Sequence, residues 1–495
     1  MSNPLIKVMA VKGLMKEASP VKPVINIGGI FDIFNHVPVK GKWGNVIVNG
    51  GCWPSTGISG PNNSFKSTIS KYILLSIFDR CMSSTGLSFD TEVSGTAAYR
   101  YTQLAQRFAH AKDIDFDDTD RWMYTTNVET YGDEWWQAVK EYCDAKVDAA
   151  KETQWTTPMV DNDGKYIKGF IPTVAECDSL SSLNIKTVED KYIDLAAGDA
   201  KRNMEDMANM KAKTKIIRDM PVVCNRSGLY VVFTAHVGKK FDLDPYNPSM
   251  KRHQAQKGNR TIKYVPEQFD YLINNLYDIN DARPLINNNT KAPEFPRHQG
   301  DDVAGDTDLM ELTITILRGK GGGTGLTFPL ICSQAEGVLM ELSQFWYLKC
   351  WKPDSKSPGW GCEGNLQNYN LIIYPDVKLS RTTVRGKIDS DPKLRRALQI
   401  TCDLLMLHHI DQMKIPREYR DRLCDIETLY KDITALGYDW NDILENTIGE
   451  WKFREECQEK PTLTIYDLLN IRAGVYTPYW KQEGWLKEKR QDMTP

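Results

Sequence analysis

The chain lacks a long apolar run: nowhere do about 18 hydrophobic residues follow one another, so no membrane-spanning helix is expected. It also opens without the charged, apolar and small-residue pattern of a secretory signal, which points to a soluble, cytoplasmic protein. There is no CxxC pair, and the 11 cysteines are odd in number and scattered from Cys52 to Cys457. A disulfide scaffold is excluded and a reducing compartment fits. Cys350 and Cys362 flank a Trp/Gly/Pro-rich segment with no second pair beside them, so they read as structural thiols. Neither charge sign dominates: 62 Lys and Arg stand against 65 Asp and Glu, a net of −3. Any nucleic-acid contact must therefore come from a local patch rather than a global basic field. No internal repeat and no low-complexity tract is found. What remains is ordinary soluble material, 41% hydrophobic and 26% charged over 495 residues, long enough for about two to four domains with a large core.

Against that background one stretch carries chemistry, Gly60-Pro61-Asn62-Asn63-Ser64-Phe65-Lys66-Ser67-Thr68. It has the frame of a phosphate-binding loop, except that Phe65 stands where the consensus places a second glycine. Backbone N–H groups of such a loop face a phosphate, and the following helix adds its positive end. Lys66 would reach the β- and γ-phosphates, and the Ser67 hydroxyl would bind Mg²⁺. Ser67 to Asp79 reads as a helix, with Ile69, Tyr72, Ile73, Ser76 and Ile77 near one face. The plain alternative is a polar turn before an amphipathic helix. The stretch ahead of the loop, Trp53 to Ser59, is a poor strand, although a phosphate loop normally follows a buried apolar one.

Elsewhere strands and helices alternate. Leu87 to Glu92 reads as a short strand ending in carboxylates, Trp122 to Tyr124 as another, and Asp133 to Lys146 as a helix. Thr173 to Cys177 is a strand running into Asp178, Ala200 to Arg218 a helix, Gly228 to His236 a buried strand, and Met310 to Leu317 a half-buried one. This alternation predicts an α/β fold: a parallel core sheet with flanking helices. Residues 1–43 read as a lead-in segment and residues 44–344 as the core. From residue 345 to 495 a Pro/Gly/Trp-rich link gives way to a mostly helical C-terminal domain, with Asp391 capping a helix that starts at Pro392.

Hydrolysis needs more than a phosphate loop. It needs an aspartate at a strand end to order metal, a group to activate water, and positive charge at the γ-phosphate. Asp178 suits the first role and Glu92 the second, since a carboxylate can accept the water's proton. Tyr99 could stack on adenine. Arg318 and Lys320, in a glycine-rich turn past a strand, could reach an anion, including the nucleotide of a neighbouring subunit. His236, at a strand end, could sense the γ-phosphate. Lys239, Lys240, Lys251, Arg252, Lys257, Arg260 and Lys263, interleaved with Phe241, Tyr246 and Tyr264, suit single-stranded DNA: cations for phosphates and rings for bases. Each residue alone also has an ordinary role, as a turn cap, a core ring or a solvated charge. Their joint order is what carries the reading.

In that order the residues resemble the phage UvsX-type recombinases, relatives of bacterial RecA. Ser64-Phe65-Lys66-Ser67 is similar to the phosphate loop of that subfamily, where RecA has Ser-Gly-Lys-Thr. Phe89-Asp90-Thr91-Glu92 resembles the strand with the catalytic glutamate, and Tyr99 falls at the adenine-stacking spacing. Cys177-Asp178-Ser179 resembles the Walker-B Asp-Ser. His236 matches the nucleotide-sensing strand end before the second DNA-binding loop, and Arg318-x-Lys320 the basic pair that crosses the filament interface. The resemblance covers roughly residues 44–342; residues 345–495 have no counterpart in it. It implies a RecA-like P-loop core that binds ATP and Mg²⁺ and hydrolyses ATP in a DNA-dependent way. The implied function is coating single-stranded DNA as a head-to-tail homo-oligomeric filament for strand exchange in recombination and repair, in the host cytoplasm if the chain is phage-encoded. A ring helicase or DNA motor on the same core, and a nucleotide-binding scaffold without turnover, are the alternatives.

Overall fold

The computed structural model describes residues 21–91, 121–126, 130–192, 204–240, 251–298, 300, 303–410, 414–453 and 460–484. Its strands, in chain order, begin with β1 (His36–Lys40), β2 (Val46–Gly50), β3 (Ser55–Gly60), β4 (Thr85–Asp90), β5 (Trp122–Thr126), β6 (Gln154–Val160), β7 (Tyr166–Phe170) and β8 (Thr173–Asp178). They continue with β9 (Leu229–Lys239), β10 (Arg260–Ile262), β11 (Asn275–Pro284), β12 (Leu309–Gly319), β13 (Thr327–Ser333) and β14 (Gly337–Val338). A ten-stranded sheet dominates, in the order β14-β13-β12-β11-β3-β9-β8-β4-β5 with β10 added on β9. From β11 through β3, β9, β8 and β4 to β5 neighbouring strands run parallel. The β11–β14 flank and the β9–β10 pair are antiparallel. The fold is mixed α/β around a mostly parallel sheet.

Parallel strands need crossovers, and the helices supply them. Lys66–Arg80 links β3 to β4, Gly132–Asp148 precedes β8, and Glu205–Ser227 leads into β9. The last of these runs well past Arg218 and through Pro221. Met220, Val223 and Cys224 are buried beyond the expected end, so packing holds the helix where local sequence would stop it. The Lys66–Arg80 helix also differs from expectation. It is buried almost all round rather than on one face, because residues from the C-terminal part cover its outer side: Arg80 pairs with Glu450 and Lys452 with Asp79.

The strand ahead of the phosphate loop corrects the sequence reading most clearly. Trp53 to Ser59 looked too polar to be a strand, yet β3 is buried at every position and sits between β9 and β11. Its polar side chains are satisfied inside the sheet: Ser55 Oγ donates to Asn274 Oδ1 at 2.9 Å and Ser59 Oγ to Asp278 Oδ1 at 2.8 Å. Its small residues admit large neighbours. A Cβ at Gly57 would stand 2.7–2.8 Å from Phe269, Ile273 and Leu276. Hydrogen bonds and close approach here take the place of apolar bulk.

The first and last described segments pack on this core. The short helix Gly29–Phe34 is wholly buried, Trp451 N–H donates to Asn26 Oδ1 at 2.9 Å, and Val46 N–H donates to Asp467 Oδ1 at 2.7 Å. One hydrophobic cluster runs from Ile25 to Tyr476 and includes β11–β13 and the helices Met340–Cys350 and Pro392–His409. The C-terminal part adds a small antiparallel sheet, β15 (Cys362–Gly364), β16 (Tyr369–Leu371) and β17 (Tyr374–Leu379), to its helices. Asp391 caps the Pro392 helix by accepting from Leu394 N–H at 3.1 Å. No helix among the described residues is long and apolar enough to cross a membrane.

Candidate nucleotide and nucleic-acid site

The carboxyl ends of β3, β9, β8 and β4 lie on one edge of the sheet, where the register pairs Gly60 with His236 and Asp90 with Asp178. Open parallel sheets bind ligands at that edge. From it the chain turns through Pro61–Phe65 into the Lys66–Arg80 helix. Asn63 and Phe65 have φ of 56° and 66°, so Phe65 adopts the left-handed conformation that the consensus glycine would take without a Cβ penalty. Its side chain packs against the main core cluster, which offsets that cost. The first helical N–H···O bond within the helix ends at Ile69 N–H, 3.0 Å from Phe65 O. The N–H groups of Lys66, Ser67 and Thr68 therefore sit at the helix's positive end with no intrahelical acceptor. The Ser64 hydroxyl and the Lys66 ammonium both donate to Pro61 O, at 2.7 and 2.6 Å, and fold the loop on itself.

Beside the loop lies an open cleft of about 1040 Å³. Asn62 through Thr68 line it, with Ser181, Ser182, His236, Val237, Gly238, Lys263, Tyr264, Met310 and Gln334. Among the described residues, Lys66 and Lys263 are its lysines and no carboxylate lines it. Such a lining favours an anion.

Ser67 lines the cleft, and its hydroxyl lies near enough to the Asp178 side chain to favour the ionised carboxylate. Burial pushes the Asp178 carboxyl above its ordinary value, while the Lys71 charge and the Ser67 and Thr234 hydroxyls pull it back. A hydroxyl and a carboxylate close together at a phosphate loop are the donor pair a Mg²⁺–nucleotide needs from protein, with phosphates and water completing the shell. The residues present fit that group. Among the described residues no set of three His, Cys, Asp or Glu side chains forms an all-protein metal cage, and Mg²⁺ at a phosphate site does not require one.

Several neighbours carried no signal in the sequence. Thr234 donates to Asp178 from the adjacent strand. Lys71 and Glu176 form an ion pair whose side chains are 2% and 0% exposed, and Ser70 and Ser88 also donate to Glu176, at 2.5 and 2.6 Å. Asp90 is buried and accepts from Tyr124 Oη at 2.6 Å. Asp90 is one of the carboxylates that the sequence places at the end of its strand; nothing local marks a lysine in the middle of a helix as core. His236 lines the cleft, and its N–H donates to Ser181 Oγ at 2.9 Å. Glu92 and Tyr99 lie outside the described residues.

The basic segment divides. β10 folds back on β9, pairing Arg260 with Lys239 and Ile262 with Val237; residues 241–250, between Lys240 and Lys251, lie outside the described residues. Arg252 pairs with Asp270 at 2.5 Å and donates to Ile262 O and Pro266 O. Arg260 donates to Asp278, Ile279 O and Asn280 O at 3.0–3.3 Å. These two arginines staple the segment to the sheet. Lys239, Lys251 and Lys257 are exposed, Lys240 is half-buried, and Lys263 lines the cleft.

Arg318 and Lys320 are not brought to this cleft. Asn275 pairs with both Thr56 and Gly319, so their turn lies at the opposite, amino-terminal edge of the parallel strands. Arg318 donates to Tyr271 O at 2.9 Å and Lys320 is exposed. The turn's glycines let it close on Asn35 and Phe34: Gly321 N–H donates to Asn35 Oδ1 at 2.7 Å, and a Cβ at Gly323 would stand 2.0 Å from Phe34 O. No protein-family model and no curated protein matches the chain.

Proposed function

We propose that this chain is an ATP- and Mg²⁺-dependent DNA recombinase on a RecA-type core, which coats single-stranded DNA as a filament and promotes strand exchange. The observation that carries the ATPase reading is the proximity of Ser67 to Asp178 beside a cleft that Lys66 lines at the end of the loop. In this reading the loop N–H groups and Lys66 hold the phosphates. Mg²⁺ on Ser67 and Asp178 would neutralise charge on the β- and γ-oxygens. A water attacks the γ-phosphorus in line, the bond to the bridging oxygen breaks, and the water's proton passes to Glu92. The left-handed Phe65 supports the same reading, since it keeps the loop's backbone path where glycine is usual.

The DNA part rests on the exposed lysines around the β9–β10 stem, which rises from the cleft's own wall. Filament assembly rests on the position of Arg318 and Lys320. They lie across the sheet from their own phosphate loop, so they can serve only the site of another copy, and such a contact is head-to-tail. There they would offset charge on the transferring phosphoryl group.

Steady-state ATP hydrolysis with and without single-stranded DNA, at low and high salt, tests this reading. Strong stimulation that fades with salt is expected. The Glu92→Gln variant should still bind ATP and lose nearly all turnover. ATP bound without DNA stimulation would refute the recombinase assignment, and closed rings in electron micrographs with ATP and DNA would assign the chain to motors instead.

A further inference from the structure

We infer that Lys263 is a contact for the terminal phosphate of the nucleotide, and not for DNA; this rests on the ATP reading above. By sequence it belongs to the basic run, and by position it does not. It follows β10 directly, its N–H donates to His236 O at 2.9 Å, and its carbonyl accepts from Ser181 Oγ at 3.0 Å. The Ser181 hydroxyl also accepts from His236 N–H at 2.9 Å, so one side chain ties the two strand ends together. Lys213, buried beneath, donates to Ser181 O and Tyr264 O at 3.1 and 3.4 Å. The backbone that carries Lys263 is thus fixed from several sides.

The lysine arm then lies over Gly238. A Cβ at Gly238 would stand 2.2 Å from Lys263 Cε and 2.7 Å from Nζ. Gly238 has no left-handed φ to explain it, so the glycine's role is to leave room for the arm. Along that path the arm lines the same cleft as Lys66, Ser67 and His236. One lysine at the helix end and a second just past β10 match a triphosphate better than a diphosphate. The exposed Lys239, Lys251 and Lys257 are left for a polyanion outside the cleft.

The test is a set of dissociation constants for ADP and for a non-hydrolysable ATP analogue with Mg²⁺, on the full chain and on Lys263→Met, Lys263→Arg, Gly238→Ala and Lys66→Ala. The DNA affinity of nucleotide-free protein is measured alongside against salt. A charge-assisted hydrogen bond predicts that Lys263→Met loses about 10- to 100-fold in affinity for the triphosphate while ADP affinity stays within a few-fold. Lys263→Arg should restore most of the loss. Gly238→Ala, which keeps the charge and displaces the arm, should lose triphosphate preference too, so the inference stays testable if Lys263→Met folds poorly. An unchanged ATP-to-ADP ratio with a DNA salt slope smaller by about one would overturn it and return Lys263 to DNA. If the unaltered chain binds neither nucleotide, both this inference and the ATP reading fall. If it binds both and only Lys66→Ala changes that, the ATP reading stands and the inference falls.

Discussion

Replacing Lys71 by Met probes the floor of the candidate site. Lys71 and Glu176 are paired with side chains 2% and 0% exposed. Two hydroxyls, Ser70 and Ser88, remain on the carboxylate at 2.5 and 2.6 Å when the lysine goes. They do not replace its charge. Breaking one half of a buried ion pair costs about 3–5 kcal/mol, most of it the uncompensated charge left behind. With an m-value of about 3 kcal/mol/M, the urea midpoint should fall by about 1 to 1.7 M. Tryptophan fluorescence suits the assay, because the Lys71 ammonium lies 5.8 Å from the Trp122 ring centroid. The double variant Lys71→Met/Glu176→Gln removes both charges and keeps one acceptor for the serines. It should therefore recover most of the loss, with a coupling of about 2 kcal/mol or more in the cycle. A midpoint shift below about 0.3 M for the single variant, on the same m-value, or a double variant no better than the single, would refute the reasoning.

Three further outcomes follow from the same geometry. Asp178 is raised by burial, so its contribution to stability is greatest at low pH and is lost as pH rises through the folded-state value. Metal-dependent nucleotide binding needs the ionised form and runs the other way, weakening as pH falls. Thr234→Val removes a donor to that carboxylate, so the midpoint of the binding profile should move upward; an unmoved or lowered midpoint would count against Thr234 as its partner. Phe65→Gly should keep nucleotide affinity within a few-fold, because glycine adopts φ of 66° freely, whereas Phe65→Val should lose far more, since a β-branched residue resists that conformation; titration with a fluorescent nucleotide checks both. Arg252→Ala should destabilise the fold by roughly 2–3 kcal/mol through Asp270, visible in thermal unfolding, while Lys257→Ala should leave unfolding unchanged and lower the DNA salt slope by about one.

Local signals were legible wherever the chemistry is local. The Gly60–Ser67 frame and its helix, the strand ending at Asp178, and the long apolar β9 follow from residues adjacent in the chain and from their periodicity. What tertiary structure decided is of another kind. β3 reads as polar, and only its neighbours make Ser55-Thr56-Gly57-Ile58-Ser59-Gly60 a buried central strand, through Asn274, Asp278 and the space that Gly57 leaves for Phe269. β11 carries no clear strand signal because its carboxylates and amides interrupt the apolar pattern, and Asp278 is buried there against Ser59 and Arg260. Seven cations in one segment look alike on paper. Two become staples because Asp270 and Asp278 face them, and one enters the cleft beside the Gly60–Ser67 loop because Gly238 gives its arm room. The sequence by itself determined which groups are available for phosphate and metal, since side-chain chemistry is carried by each residue. Which of those groups meet was decided only by strand order and burial, because contacts between residues far apart in the chain depend on how the sheet is assembled.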